Sequence, residues 1–543
     1  MDSTMQDFPL TITAIMRHGC GVHGARTVTT ATGDGYRHIS YRELGQRAAQ
    51  LANALRRLGV TGDQRVATFM WNNAEHLAAY FAVPSMGAVL HTLNIRLFPE
   101  QIAFVANEAE DQIVLVDASL IKLLEPVLGN LETVHTVIVV GDGDMAPIEA
   151  SGKAVLRYAE LIDAESPDFE WPPIDENSAA AMCYTSGTTG NPKGVVYSHR
   201  STFLHAMGAC TTNGIGVGAI DSVLPIVPMF HANAWGLPYA ALMAGADLVL
   251  PDCHLGARSL IDMVEKLRPT VAGAVPTIWN DVMCRLEEDP DHDISSLRFV
   301  VCGGSAMPRS MIKAFVDMGV TVRHAWGMTE MSPIGTLAVA KPPFSHATDD
   351  EQLDILQTQG YPPFGVQMKI TDDAGKELPW DGKTFGRLKV SGPAVAKAYF
   401  RVDADILDED DYFDTGDVAT IDAHGYMRIT DRSKDVIKSG GEWISSIDLE
   451  NLAIGHPAVA EAAVIGVYHP KWDERPLLIV QLKQGAKATR EEILKFMDGK
   501  IAKWWMPDDV AFVEGIPHTA TGKILKTALR EQFKAYRFPN AAA

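Results

Sequence analysis

Residues 184–194 read YTSGTTGNPKG and follow an apolar run at 179–183, which predicts that the stretch leaves the carboxyl end of a strand. The stretch supplies small hydroxyl side chains, three glycines and one cation, Lys193. Hydroxyl groups and backbone N–H groups on a flexible loop, with one cation, suit the binding of a polyphosphate. The loop is not a Walker loop, because Lys193 is preceded by Pro192 and followed by Gly194 rather than by Ser or Thr. The alternative is an ordinary surface turn, which needs far fewer residues of this kind.

Helical and extended patterns alternate on both sides of this loop. The periodicity predicts helices over 41–58, 74–86, 256–268 and 278–288. It predicts short apolar strands over 65–71, 112–116, 222–227, 270–275 and 299–302. Short apolar strands separated by helices are typical of parallel sheets that are covered on both faces.

The pattern changes towards the C-terminus. Short alternating runs with Gly and Pro over 364–399 predict a small antiparallel β subdomain, which we extend to about 364–431. A compact α+β pattern follows Asp431, with strands over 459–467 and 477–482 and a helix over 490–503. The predicted fold is therefore α/β, with a large N-terminal domain over 1–431 and a small α+β C-terminal domain over 435–543.

Composition and charge exclude several classes of protein. The chain has 543 residues, of which 47% are hydrophobic and 21% are charged, so disorder, collagen and coiled coil are excluded. The 47 Lys and Arg residues against 68 Asp and Glu residues give a net charge of −21. That field would repel nucleic acid unless a basic patch concentrated the cations, so we expect no nucleic-acid partner.

The cysteines and the N-terminus predict a location. Six cysteines, at positions 20, 183, 210, 253, 284 and 302, are too scattered for a CxxC pair or a zinc knuckle. A reduced, cytoplasmic chain with inert buried thiols is the expectation. The acidic start MDSTMQD is unlike a signal peptide, and no apolar run of about 18 residues predicts a membrane span.

Five further segments follow the loop in a fixed order: GGSAMP at 303–308, WGMTE at 326–330, YFDTGD at 412–417, DRSKD with KSGGE at 431–442, and TATGK at 519–523. Each short segment is a weak signal alone. As an ordered series they resemble the adenylate-forming superfamily, which comprises acyl-CoA synthetases, peptide-synthetase adenylation domains and luciferases. The resemblance spans 184–523 and implies a large domain, a hinge at 432–434 and a mobile C-terminal lid domain.

The resemblance implies a two-step reaction. A carboxylic acid and ATP give acyl-AMP and pyrophosphate, and CoA then displaces AMP to give the thioester. The first step brings two anions together, so it needs positive charge and fixed orientation. Mg²⁺ would supply part of that charge, with Thr185 and Glu330 as its protein ligands. Lys523 would supply the rest.

The resemblance also assigns roles to individual residues. Nucleotide binding falls to residues of the loop and of the first four segments, together with Ala325 just before the second: Thr185, Ser186, Gly187, Thr188, Thr189, Gly190, Lys193, Gly303, Gly304, Ser305, Ala325, Trp326, Gly327, Met328, Thr329, Asp417 and Arg432. Within this set Asp417 suits hydrogen bonds to two ribose hydroxyls, and Trp326 suits stacking on adenine. The hinge and the CoA side comprise Lys434, Asp435, Lys438, Gly440, Gly441 and Glu442. The catalytic residues are Lys523, Glu330, Thr185 and His231.

Each assignment has an ordinary alternative. An isolated Asp417 is more often a turn carboxylate, Trp326 a core side chain and Glu330 a helix cap. Their place in the ordered series favours function.

The segment 228–236, PMFHANAWG, resembles the one that borders the acyl pocket in the family. His231 stands where peptide-synthetase domains usually carry Asp, which argues against an amino-acid substrate. Trp235 resembles a gate residue of long-chain acyl-CoA synthetases, and a buried core Trp is its alternative. The acid is assigned to His231, Trp235, Gly303 and Pro333.

The hinge and CoA-side segments resemble the medium- to long-chain branch, and within it the 3-methylmercaptopropionate-CoA ligases. This implies 3-(methylthio)propanoate or a short- to medium-chain fatty acid as the substrate, and a homodimer is possible. The alternatives are a medium- or long-chain fatty acid ligase, a stand-alone carrier-protein adenylation domain and a nucleotide sensor.

Overall fold

The computed structural model describes residues 1, 3–185, 191–344, 348–433, 435–439, 442–518 and 524–539, the side chains of Pro343, Glu442 and Trp443 excepted. Four sheets organise these residues. Two large sheets lie in the first two-thirds of the chain, and two smaller ones follow.

The first large sheet contains the strand that leads into the phosphate loop. Its strands, in spatial order, are Ala154–Arg157, Thr136–Val140, Asp111–Asp117, Arg65–Phe69, Val89–Thr92, Ala179–Tyr184 and Gly194–Ser198. All neighbours run parallel except the last two, which form an antiparallel pair.

The second large sheet has eight strands and is also parallel at its centre. In spatial order they are Ile334–Leu337, Thr321–Gly327, Phe299–Cys302, Val271–Ala274, Ser222–Pro225, Asp247–Leu250, Thr27–Ala31 and Tyr36–Ser40. Only the outermost pair at each end is antiparallel. Ligands of open α/β sheets bind beyond the carboxyl ends of the strands. A predicted nucleotide-binding segment lies at the carboxyl end of each of three strands: Ala179–Tyr184, Phe299–Cys302 and Thr321–Gly327.

Helices cover both large sheets. They are Ile12–Val22, Tyr41–Arg57, Ala74–Ser85, Pro99–Glu108, Ile121–Leu128, Ala146–Glu149, Tyr158–Asp163, His199–Cys210, Leu237–Ala244, Ala257–Leu267, Pro276–Glu288, Arg309–Asp317 and Asp349–Gln357. Helix Tyr41–Arg57 begins with a capping box between Ser40 and Glu43, which satisfies two end N–H groups.

One core lies between the two large sheets. Helix Ala74–Ser85 is mostly apolar and is buried at every position, with its Glu75 paired to Arg37. Its Tyr80 stacks on Tyr239 with ring centroids 5.4 Å apart. Two further apolar clusters fill the outer faces of the sheets. The arrangement is helix, sheet, helix, sheet, helix, which confirms the predicted α/β class.

Two smaller sheets complete the chain. The first is antiparallel, with strands Gln367–Thr371, Gly386–Ser391, Phe413–Ile421 and Met427–Arg432, and it confirms the predicted β subdomain. The second contains Glu442–Ile444, Ile437–Ser439, Asp473–Leu482, Val459–His469 and Asp509–Phe512. Helices Ser446–Ile454, Arg490–Met497 and Lys526–Gln532 pack on it.

Three expectations need correction. The helix predicted over 490–503 ends at Met497, because Asp498 is extended and Gly499 has φ +76°. The strand predicted over 477–482 begins at Asp473, since its polar start pairs with the other arm of a long hairpin. The thiols are not all buried: Cys253 and Cys284 are exposed. Within the described residues, the helices all fall short of the length and apolar character needed to cross a bilayer.

Candidate functional site

The two ends of the predicted phosphate loop are joined by hydrogen bonds. Strands Ala179–Tyr184 and Gly194–Ser198 pair directly before and after it. The backbone N–H of Thr185 donates to the carbonyl of Lys193 at 2.9 Å, and the N–H of Lys193 donates to Oγ1 of Thr185 at 3.0 Å. The loop is thus closed at its base, as a phosphate-gripping turn requires. Ser186, Gly187, Thr188, Thr189 and Gly190 lie outside the described residues.

A segment of the β subdomain, residues 394–400, joins this loop to Glu330. The N–H of Phe400 donates to the carbonyl of Gly194 at 2.8 Å, and the N–H of Ala396 donates to the carbonyl of Glu330 at 2.8 Å. Between these two anchors, the hydroxyl of Tyr399 donates to Oε1 of Glu330 at 2.6 Å.

Tyr399 also contacts the loop lysine. The Lys193 Nζ atom lies 4.7 Å from the centroid of the Tyr399 ring, within cation–π range. Burial, followed by the nearby Glu330, raises the pKa of Tyr399, so its hydroxyl remains a donor at neutral pH. The sequence motifs do not single out Tyr399, because its role arises only from tertiary contacts.

Glu330 itself is almost enclosed. It lies in a short helical turn, Thr329–Met331, and is 6% exposed. The hydroxyl of Tyr197 donates to the carbonyl of Thr329 at 2.7 Å and holds this turn against the first large sheet. Tyr399 therefore connects the Glu330 carboxylate, which this turn carries, with the side chain of Lys193.

The predicted ribose carboxylate sits between two protein donors. Asp417 is 3% exposed. The indole N–H of Trp326 donates to its Oδ2 atom at 2.9 Å, and Nε of Arg432 lies 2.9 Å from its Oδ1 atom. The structure therefore brings Trp326, Asp417 and Arg432 together, although they are far apart in sequence. Their contact with a nucleotide stays a prediction.

Trp326 is packed more tightly than a free stacking surface would be. It is 7% exposed, and a Cβ on Gly335 would lie 2.5 Å from its ring. Only glycine fits beneath the indole there. At least one face of the Trp326 ring is therefore packed in the core, and its N–H donates to Asp417.

The glycine turn after strand Phe299–Cys302 lies beside the Trp326 strand. A Cβ on Gly303 would lie 2.8 Å from the carbonyl oxygen of Ala325, so the two backbones meet closely. Gly304 follows with φ +89°, and Ser305 is exposed. Beyond the strand, the N–H of Met328 donates to the carbonyl of Pro333 at 3.0 Å. This bond holds Pro333, a predicted acid-binding residue, next to residues 327–329.

The predicted acid segment contains a left-handed turn. Ala232, Asn233, Ala234 and Trp235 have φ values of 37°, 43°, 50° and 57°, and Gly236 follows with 73°. Such a backbone costs about 1–2 kcal/mol for each non-glycine residue. Strain of this kind persists only where the surroundings over-determine it, and it clusters at functional sites.

Buried contacts hold the turn. The Cys183 thiol donates to Oδ1 of Asn233 at 3.3 Å, below the phosphate loop. Trp235 is 9% exposed and packs in the central core, near Gly273 and Leu237. His231 lies just before the turn and is half-buried. Trp279 does not belong to this cluster; it packs edge-on against Phe315 in the outer core.

His205, which no sequence motif singles out, links the predicted acid segment to the strand that follows Glu330. A Cβ on Gly236 would meet its ring at 2.5 Å, and its Nε2 atom accepts from the N–H of Ile334 at 3.2 Å. Burial lowers the pKa of His205 to about 4, so the ring is neutral at physiological pH.

The predicted hinge region carries ion pairs. Asp435 pairs with Arg530 at 2.5 Å. The buried Lys526 Nζ atom lies 2.8 Å from Glu450 and 3.9 Å from Asp431. Glu442 pairs in a β ladder with Ser439, and the N–H of Lys438 donates to Glu474 at 3.1 Å. Lys434, Gly440, Gly441 and the predicted catalytic Lys523 lie outside the described residues.

The two predicted magnesium ligands fit that ion chemically. The described residues contain no cluster of three or more His, Cys, Asp or Glu side chains that could hold a metal alone. Mg²⁺ is usually bound by one or two carboxylates together with substrate phosphates. The Glu330 carboxylate and the Thr185 hydroxyl offer oxygen atoms of that kind beside a phosphate loop.

Comparisons with known proteins agree with this geometry. Residues 17–400 match the family described as "AMP-binding enzyme", and residues 448–523 match "AMP-binding enzyme C-terminal domain". The chain is 46% identical over 528 residues to the 3-methylmercaptopropionyl-CoA ligase of Ruegeria pomeroyi, which covers 97% of this chain and 98% of that protein. It is 45% identical over 529 residues to the medium-chain-fatty-acid–CoA ligase of Ectopseudomonas oleovorans, with 96% of each covered. The crystal structure of the anthranilate CoA ligase AuaEII in complex with anthranoyl-AMP superposes with a TM-score of 0.85, at 26% identity, over 98% of this chain and 99% of that one.

Proposed function

We propose that this chain, which belongs to the AMP-binding enzyme family and is an AMP-forming acyl-CoA synthetase, acts on 3-(methylthio)propanoate or a short- to medium-chain fatty acid. The observation that carries the proposal is the 46% identity, over 97% of this chain, to a 3-methylmercaptopropionyl-CoA ligase. The motif resemblance is thereby confirmed at the level of the family. The acid remains our proposal.

The described residues suit the first half-reaction. Tyr399 contacts both Lys193 and Glu330 beside the phosphate loop. Asp417, held by Trp326 and Arg432, is proposed to accept hydrogen bonds from two ribose hydroxyls. Holding the nucleotide at both ends would present the α-phosphate to the incoming carboxylate in a fixed orientation. Mg²⁺, when bound between Glu330, Thr185 and the phosphates, would neutralise charge as it develops.

Lys523 is proposed to bridge the attacking carboxylate and the α-phosphate. The C-terminal domain would then rotate about 432–434, withdraw Lys523, and bring the segment at 438–442 to the site for attack by the thiol of CoA. Lys434 lies at the centre of the proposed hinge, and Asp435 beside it is anchored by Arg530. The domain limits, the homodimer and the cytoplasmic location belong to the same proposal.

An acid with one carboxylate and an uncharged tail suits the acid segment. The described walls at 228–236 and 331–333 are rich in apolar side chains, among them Phe230, Trp235 and Met331. A second carboxylate buried against them would lack a partner, which is costly. A thioether is tolerated by such walls, because sulfur and methylene are similar in size and polarity.

The test is a panel of acids. The purified enzyme is given ATP, Mg²⁺, CoA and either acetate, butyrate, hexanoate, octanoate, palmitate or 3-(methylthio)propanoate, and AMP formation is followed. The proposal expects the highest kcat/KM for 3-(methylthio)propanoate or for an acid of similar length. A profile that peaks at palmitate would contradict it.

Within this range of acids, an enzyme that prefers medium-chain fatty acids to the thioether acid is the second candidate. It is favoured by the 45% identity to a medium-chain ligase, which is almost as high as the first match. A kcat/KM that peaks at octanoate and is low for 3-(methylthio)propanoate would decide for it.

A further inference from the structure

One tyrosine contacts two of the motif residues at opposite ends of its side chain. The hydroxyl of Tyr399 donates to Oε1 of Glu330 at 2.6 Å, while the Nζ atom of Lys193 lies 4.7 Å from the centre of the ring. We propose that Tyr399 is a positioning residue of the adenylation step, whose hydroxyl orients Glu330 and whose ring holds Lys193. This inference rests on the proposed function, since it concerns the same nucleotide site.

The backbone on either side of Tyr399 supports this role. Three residues before it, Ala396 donates to the carbonyl of Glu330 at 2.8 Å, and one residue after it, Phe400 donates to the carbonyl of Gly194 at 2.8 Å. The segment is therefore fastened to both of the elements whose side chains Tyr399 touches. Ser332 adds a third fastening, because its hydroxyl donates to the carbonyl of Ala394 at 3.0 Å.

The two ends of Tyr399 act on different charges. A hydrogen bond from a neutral hydroxyl to one carboxylate oxygen restricts the rotation of the carboxylate. Within the described part of the chain, the Glu330 carboxylate accepts this single hydrogen bond. The bond orients the carboxylate and leaves its second oxygen available for a ligand. The ring attracts the Lys193 ammonium through its negative face and limits the directions that this long side chain takes.

Preorganisation is the expected benefit. A free Lys or Glu side chain loses rotamer entropy when it engages a ligand, and side chains that are already held lose less. The tyrosine spans the gap between a cation and an anion that must both face one polyphosphate. Removing its hydroxyl should disturb Glu330 alone, and removing the ring should disturb Lys193 as well.

The test compares Tyr399→Phe with Tyr399→Leu by calorimetric titration of ATP, in the absence of acid, with Mg²⁺ and with excess EDTA. Tyr399→Phe should weaken ATP binding about tenfold in the presence of Mg²⁺ and leave binding in EDTA within about twofold. Tyr399→Leu should weaken both, because the cation–π contact is also lost. The matched control is Tyr426→Phe, a tyrosine of the same subdomain that donates to the carbonyl of Val339 and has Lys341 5.3 Å from its ring. It should change neither titration.

A double-mutant cycle separates positioning from a general loss of packing. If Tyr399 acts through Glu330, the effect of Tyr399→Phe in Mg²⁺ should disappear when Glu330 is already replaced by Gln. An equal loss in both backgrounds, or equal losses with Mg²⁺ and EDTA, would overturn the inference. So would wild-type binding by Tyr399→Phe. Failure of the wild type to release pyrophosphate with any acid would instead overturn the proposed function, while the titrations would still decide the role of Tyr399.

Discussion

The proposed nucleotide end and the proposed acid end of the site are built by different physical means. At the nucleotide end, predicted residues hold one another: Trp326 and Arg432 engage both oxygens of Asp417, at 2.9 Å each. At the acid end, a run of positive φ values from Ala232 to Gly236 carries Trp235 into the core. The first end is preorganised by paired charges, and the second stores backbone strain that packing must oppose.

This difference has a functional consequence. Every relative of this enzyme class must bind the same nucleotide, so charge pairs that fit it need not vary. The acid differs from one ligase to another, and a turn held by packing can be reshaped by changing a few apolar side chains. We expect substitutions at the nucleotide end to act on the rate of adenylation, and those at the acid end to act on which acid is used.

The largest effect is expected at Lys523, where the two ends meet in the proposed mechanism. Lys523→Ala should lower adenylation by at least about 10²–10³-fold and largely spare thioester formation from supplied acyl-AMP. The physical reason is that its charge is required only while a carboxylate attacks a phosphate. Pyrophosphate release and CoA-dependent AMP release are measured separately. Equal losses in both half-reactions would show that Lys523 is not specific to the first step.

The next effect concerns Asp417. In Asp417→Asn, the amide presents an N–H₂ group to either Trp326 or Arg432, both of which are donors, so one donor loses its partner. Ribose hydroxyls would also lose a charged acceptor. We expect kcat/KM for ATP to fall about 10–100-fold, and the preference for ATP over 2′,3′-dideoxyATP to shrink by a similar factor. If the preference is unchanged while the rate falls, Asp417 is structural.

Sequence patterns predict the residues proposed for the nucleotide end because those residues lie in short ordered motifs. They also gave the strands that end at those motifs, such as Phe299–Cys302. They did not give Tyr399 or His205, since the role of each arises from contacts with residues distant in sequence. Nor did they predict the left-handed turn, because Ala and Trp rarely adopt positive φ and a single Asn does not predict four such residues in succession. The error in the helix predicted over 490–503 has a different cause, since Gly499 is a helix-stop signal that the sequence itself contains.

At the acid end, Trp235 tests whether packing sets the choice of acid. Trp235→Ala opens space next to Gly273, so longer acids should gain relative to short ones. Each newly buried methylene contributes up to about 0.8 kcal/mol. We measure kcat/KM for butyrate, hexanoate, octanoate and 3-(methylthio)propanoate in both proteins. An unchanged profile would assign Trp235 to the core alone, and Met331→Ala provides a matched truncation at the opposite predicted wall.

The smallest effect tests the strain itself. Ala234 has φ 50° and ψ 39°, and its side chain is fully buried. In an ordinary helix, replacing Ala by Gly costs about 1 kcal/mol, and Ala241 in helix Leu237–Ala244 is a buried control of the same size. At position 234 the same change removes the Cβ conflict of a left-handed backbone, worth about 1–2 kcal/mol, and this offsets the cost. We therefore expect Ala234→Gly to leave the free energy of unfolding unchanged or slightly higher, while Ala241→Gly lowers it. Denaturant titration of the two variants measures the difference. Equal destabilisation would mean that the turn at 232–236 stores no strain, and the contrast between the two ends of the site would then rest on charge alone.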